Sequence, residues 1–237
     1  MKILSVVLGL LASGSFAAAP PPATFRFSGY DWTVQRFGPN CEDFSAGEDH
    51  VRLDARGRLH LRATSRGGRR SCAEAASLAS FGYGTYVFDV EAPVARYDDN
   101  VVLGLFTYDN DTASAHREID VEFSRWGDPK RPNGQYTVQP HPDGGGECGK
   151  NDVQCRFEVP GDATRGVYVF RWEPGRVSFS ARRADGRPLR SWVETKQVPS
   201  AGKVPVKLNL WFFGKPRAGD QEAECVIRRF TFVPDKD

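Results

Sequence analysis

The chain has 237 residues, and 32 Lys and Arg against 30 Asp and Glu leave a formal charge of +2. So even a balance provides no bulk attraction for a nucleic acid. Beyond the N-terminal segment no apolar run is long enough to cross a membrane.

The N-terminus reads as an export signal. Lys2 supplies the positive start, residues 3–11 the apolar core, and Ser15-Phe16-Ala17 a small-x-small cleavage site. That core is too short for a span. Cleavage after Ala17, Ala18 or Ala19 leaves Pro20-Pro21-Pro22 as a stiff leader. The expectation is a signal peptide over residues 1–19 and one domain over 20–237, secreted or periplasmic and monomeric. Five cysteines in an exported chain suggest disulfides. Cys148 and Cys155 are close enough to clip a local loop, and Cys41 and Cys72 can join two early segments. Cys225, at the start of an apolar strand pattern, is left as a buried thiol. With no CxxC and four scattered His, a zinc site is not expected, nor is any cofactor.

Alternating apolar and polar residues predict strands over 58–63, 85–90, 101–107, 135–139, 167–172, 176–181, 204–212 and 225–233. Turn formers such as Glu173-Pro174-Gly175 and Ala184-Asp185-Gly186 separate them. Many short strands at this spacing imply an all-β sandwich or jelly roll. The arginines at 62, 66, 69 and 70 flank Gly67-Gly68 and read as a solvated loop, and residues 73–78, the one candidate helical turn, are small and read as a loop too. Residues 141–151 form a polar, Gly-rich loop. Within it, Gly144-x-x-x-x-Gly149-Lys150 has the outline of a phosphate-binding loop. Asn151 stands where Ser or Thr is needed and no helix pattern follows, so that reading is set aside.

One stretch carries chemistry: Glu118-Ile119-Asp120-Val121-Glu122-Phe123. On a strand, side chains alternate faces, so the three carboxylates share one side and Ile119, Val121 and Phe123 the other. The apolar side suits a core, and the carboxylate side has to line a surface or cleft. Cα atoms of Glu118 and Glu122 would lie about 13 Å apart. Side chains leaning inward can bring the carboxyls within about 5–5.5 Å, the separation a retaining glycosidase needs. A solvated strand face is the plainer alternative. Aromatic residues cluster near this stretch at Phe106, Tyr108, Trp126, Tyr136 and Trp211, and rings of this kind stack on sugar faces. Trp172 and about half of the others are expected to fill the core instead. Asn209 and Trp211 share a strand face and are the better cleft candidates. His116 and Gln139 join the expected sugar-binding set.

At this point the residues resemble a known family. Glu118-Ile119-Asp120-Val121-Glu122-Phe123 is similar to the active-site strand of family 16 glycoside hydrolases, particularly the bacterial lichenases. Phe81-Gly82-Tyr83-Gly84-Thr85-Tyr86, Phe106-Thr107-Tyr108, Trp172-Glu173-Pro174-Gly175 and Asn209-Leu210-Trp211 match further landmarks in order. Cys41 and Cys72 sit at nearly the spacing of the lichenase disulfide. The resemblance covers about residues 25 to 233. It implies a curved, concanavalin-like jelly-roll sandwich with an open polysaccharide cleft. It also implies Glu118 as nucleophile, Asp120 as its modulator and Glu122 as general acid/base, in a retaining endo-acting enzyme on a β-glucan-type chain. Two departures stand out. His116 replaces a lichenase Trp and, on an extended strand, would share the carboxylate face. Arg228 stands where relatives place an Asp that binds calcium, so calcium is not carried over. A transglycosylase on the same residues and a noncatalytic carbohydrate-binding protein are the alternatives. The latter typically lacks one of the carboxylates.

Overall fold

Period-two patterning dominates the observed structure, a computed structural model that describes residues 23–35, 41, 43–44, 50–140, 148 and 154–235. The leader, and residues 141–151 apart from Cys148, lie outside these. Sixteen strands form among the described residues. They are β1 (Thr24–Phe27), β2 (Tyr30–Val34), β3 (Asp43–Phe44), β4 (Val51–Leu53), β5 (Leu59–Arg66), β6 (Arg69–Phe81), β7 (Gly84–Glu91) and β8 (Val101–Thr107). Then come β9 (Ile119–Phe123), β10 (Gly134–Val138), β11 (Gln154–Phe157), β12 (Arg165–Glu173), β13 (Arg176–Arg183), β14 (Pro188–Glu194), β15 (Val204–Phe212) and β16 (Ala223–Pro234). Each predicted strand is present, β8 and β15 with the expected ends and the others with ends moved by a few residues at most.

The strands form a curved sheet in the order β11-β10-β9-β8-β15-β6-β5-β16-β7-β12-β13-β14, antiparallel except where β3 lies parallel to β6. It doubles back at the β5–β6 hairpin, so the β11-to-β6 half packs over the β16-to-β14 half. Ring contacts mark that packing. Tyr136 of β10 stacks on Phe179 of β13 at 4.7 Å, Phe123 of β9 meets Tyr168 of β12 at 4.7 Å, and Trp32 of β2 meets Phe230 of β16 at 5.8 Å. Such pairs contribute beyond the area they bury. This all-β, jelly-roll architecture is the expected fold class. β15 shows how it arises: in Val-Pro-Val-Lys-Leu-Asn-Leu-Trp-Phe every second residue is buried. The residues between them face away from the core.

Two expectations need correction. Residues 73–78 are no loop; they belong to the thirteen-residue strand β6. Its Ala and Ser run has little local strand preference, but β2 and β15 pair with it from either side, and tertiary pairing overrides propensity. The arginine cluster is a solvated turn only in part: residues 66–69 are exposed, but Arg70 is not. Gly67 and Gly68 turn the β5–β6 hairpin with positive φ. Arg62 and Arg66 pair with Glu222, and Arg70 is fully buried against Asp220 at 2.8 Å. Tyr136 belongs to the core, as expected of about half of the aromatics near the carboxylate strand.

Both disulfides are formed, Cys41–Cys72 and Cys148–Cys155, and Cys225 is a buried free thiol.

Candidate active site

β9 lies between β8 and β10, in register with Phe106 and Thr137 at Asp120 and with Gly104 and Gln135 at Glu122. Ile119, Val121 and Phe123 are buried in the core. Their alternates Asp120 and Glu122 therefore point out of the opposite face. Glu118 precedes the strand with extended φ and ψ, and its carbonyl accepts from the Gln139 backbone N–H at 3.0 Å, which prolongs the ladder to the third carboxylate.

Register then assembles the floor around them. One row across the strands contains Gln135, Glu122, Gly104, Asn209 and Glu74. The next contains Thr137, Asp120, Phe106 and Lys207. Gly104 has a specific role: a Cβ there would lie 2.5 Å from the Asn209 Oδ1, so only glycine leaves that amide its place beside Glu122. Glu74 accepts from Asn209 Nδ2 at 3.2 Å and from Lys207 Nζ at 3.1 Å. On the other side, Trp126 Nε1 donates to Gln135 Oε1 at 2.9 Å, and Gln135 Nε2 donates to Glu122 Oε2 at 2.6 Å. The second chain of bonds fixes the Glu122 carboxyl, leaving its other oxygen for a substrate.

The electrostatics raise all three carboxyls. Burial pushes Glu118 up to about 7, opposed by the Lys207 ammonium. Burial also pushes Glu122 up to about 7; the Gln135 hydrogen bond opposes this and the charge on Glu118 adds to it. Asp120 is driven well above the carboxylate range by burial and by the two glutamates, and its Oδ2 has no hydrogen-bond partner in the protein. Like charges at this spacing cannot all ionise together. Lys207 favours the anion at Glu118, and that anion holds the proton on Glu122.

Tyr108 lies over the Glu118 end, with Phe106 edge-on to it at 6.5 Å and the Lys207 Nζ 4.7 Å from its ring. His116 stacks on Tyr108 at 4.7 Å with 9° between planes, and its Nδ1 is 3.0 Å from the Asp109 carbonyl. The expected strand position of His116 is corrected here. Residues 112–117 form a 3-10 turn, and Ala115, His116 and Arg117 all have φ between 48° and 60°. The turn brings His116 to a pocket of about 680 Å³ together with Glu118 and Gln139. At the Glu122 end, Trp126 meets Trp211 at 6.2 Å and Phe213 at 5.3 Å, forming an aromatic wall.

The structure thus brings all ten candidate residues of the expected site to one face. Sequence reading missed Lys207, Gln135, Glu74, Gly104 and Phe213. Lys207 was findable, since it shares the alternate face with Asn209 and Trp211. Glu74 was not, because its segment read as a loop. A structural calcium, which the resemblance could imply at Arg228, does not fit. The Arg228 guanidinium lies 3.0 Å from Glu91 and 3.8 Å from Asp89, so a cation there would face its charge.

No family model and no curated protein matches the chain. Solved structures do. The β-glucanase of Bacillus licheniformis superposes with a TM-score of 0.65 at 20% identity, over 92% of this chain and 100% of that one. A pseudo β-1,3-glucanase of Mycobacterium tuberculosis, also an immunostimulatory antigen, gives 0.65 at 21% identity over 86% and 91%. A glycoside hydrolase family 16 endo-glucanase from Bacteroides ovatus gives 0.62 at 14% identity over 85% and 94%. The chain has the fold of family 16 β-glucanases.

Proposed function

We propose that this chain is an exported glycoside hydrolase that cuts within β-glucan-type polysaccharides by retaining double displacement. The observation that carries the reading is the alternation of Glu118, Asp120 and Glu122 on the outer face of β9, with Lys207 acting on Glu118 and Gln135 bonded to Glu122. The Glu118 carboxylate attacks the anomeric carbon while the Glu122 carboxylic acid protonates the departing glycosidic oxygen. The resulting glycosyl ester on Glu118 is hydrolysed by a water that gives its proton to Glu122, and both groups return to their starting states. Asp120, between them on the same face, keeps its proton and moderates the charge on Glu118. Phe106, Tyr108, Trp126 and Trp211 supply ring faces for sugar stacking, and Asn209, His116 and Gln139 supply polar contacts. Two disulfides and the leader together support an oxidising, extracytoplasmic setting.

A screen of purified protein against β-1,3, mixed-linkage and sulfated glycans, read by new reducing ends, identifies the substrate. On it, Glu118→Gln and Glu122→Gln are each expected to lower turnover by about 10³-fold or more. Near-wild-type turnover in either variant would sink the mechanism. The likeness to a pseudo β-1,3-glucanase favours one second reading, a carbohydrate-binding protein without turnover. Binding of a glycan with no new reducing ends would establish it. Transfer to a sugar acceptor uses the same residues, and product analysis separates it from hydrolysis.

A further inference from the structure

Beside Glu118, on the side away from Glu122, the groove opens into the pocket of about 680 Å³. One wall is the 112–116 turn and the other is residues 197–200, between β14 and β15. Arg117 ties the two walls together. Its guanidinium pairs with Asp109 at 2.5 Å and Asp111 at 3.0 Å, and its Nε donates to the Ser200 carbonyl at 3.2 Å. Gly202 makes room for it, since a Cβ there would lie 2.5 Å from the Arg117 Nε. Asp111 also caps the turn, accepting from the Ala113 N–H at 3.1 Å and the Ser114 hydroxyl at 2.8 Å. The walls are therefore braced in place before any ligand arrives.

The position is off the axis a polymer would take. A scissile linkage lies between Glu118 and Glu122, along the rows that cross the strands. A space beyond Glu118 toward the strand end lies to the side of that chain. Its size is that of small-ligand sites, about 300–1,000 Å³. Its lining decides the chemistry. Ser114, His116, Gln139, Gln197 and Ser200 offer hydroxyl, imidazole and amide groups, and no Lys or Arg lines it among the described residues. Arg117, which braces the walls, is held by two carboxylates, and the Glu118 carboxylate disfavours a second anion.

The geometry points to a side pocket for a neutral glycosyl branch on the sugar bound over Glu118, which makes the preferred substrate a branched rather than a linear or sulfated glucan. This rests on the hydrolase reading for the chain's path, and the test keeps the two apart. Turnover and oligosaccharide binding are measured on matched linear, glycosyl-branched, O-acetylated and sulfated glucans. The wild type is compared with Ala113→Trp, which projects bulk from an exposed position in the wall, and with Gln197→Ala, which removes one amide; thermal melts confirm folding. The wild type is expected to favour the branched form by about ten-fold, with both variants losing that preference while still acting on linear glucan. Equal handling of branched and linear forms by the wild type, or a preference for the acetylated or sulfated form, overturns the pocket assignment and leaves the hydrolase reading intact. Branch-selective binding that Ala113→Trp removes, without turnover of any glycan, supports the pocket and defeats the hydrolase reading.

Discussion

Glu118 and Glu122 work against the fold that holds them. Burial raises each to about 7 from an ordinary 4.5. Between those two values the folded protein keeps protons that the unfolded chain has released, so stability falls as pH rises across that window. Above it the full penalty remains, and below about pH 4.5 it vanishes. Replacing either carboxylate by Gln should therefore stabilise the protein at about pH 8 by about 1–3 kcal/mol, the range reduced for partial exposure, and change little at about pH 4. Denaturant melts at the two values check the sign; destabilisation at the higher pH would show that the carboxylates are not desolvated. The same protons enter the proposed mechanism. There the dyad carries one proton, on Glu122, and activity is expected to decline above about pH 7 as that proton leaves.

At the scale of elements, β9 is positioned by its partners, and the aromatic wall at its far end depends on a buried ion pair. Arg70 and Asp220 both have fully buried side chains. The Arg70 Nη2 donates to the Lys215 carbonyl at 2.9 Å, its Nη1 reaches Gly214, and its guanidinium lies 4.9 Å from the Phe212 ring. Asp220 also accepts from Asn100 Nδ2 at 2.8 Å. The loop after β15, with Phe213 at its start, is held to the hairpin end of β6 in this way. Arg70→Ala leaves Asp220 with only the more exposed Arg217, 3.7 Å away, and is expected to cost about 3–5 kcal/mol. Chemical denaturation of that variant beside Asp220→Asn measures it, and a loss below about 1 kcal/mol would mean that water replaces the guanidinium.

For the whole molecule, the Cys41–Cys72 disulfide ties the segment before β3 to β6, the strand that carries Glu74 into the cleft floor. It spans 31 residues of sequence. Closing such a loop restricts the unfolded chain and should contribute about 3–4 kcal/mol. Cys41→Ser with Cys72→Ala is expected to lose about that much in unfolding free energy, while Cys148–Cys155, closing a much shorter loop, contributes less. Unreduced peptide mapping followed by melts of each variant tests both statements.

How much of this was readable beforehand follows from the range of each signal. Period-two alternation is local, so the sequence alone determined which residues of β9 and β15 face the core and which face the cleft. It also put Glu118, Asp120 and Glu122 on one side, and Asn209 with Trp211 on one side of another strand. What lies beside what is set by register between strands far apart in the chain. No short window holds that information. Tertiary structure alone therefore decided that Gln135 would bond Glu122, that Lys207 would sit with Glu74 and act on Glu118, and that Gly104 would leave room for Asn209. It also decided two of the places where local reading went astray. The Ala-rich β6 is a strand because neighbours pair with it on both edges. His116 leaves the strand because Asp109 and Asp111 hold Arg117 and fold the turn ahead of Glu118, and no alternation of side chains records a contact of that kind.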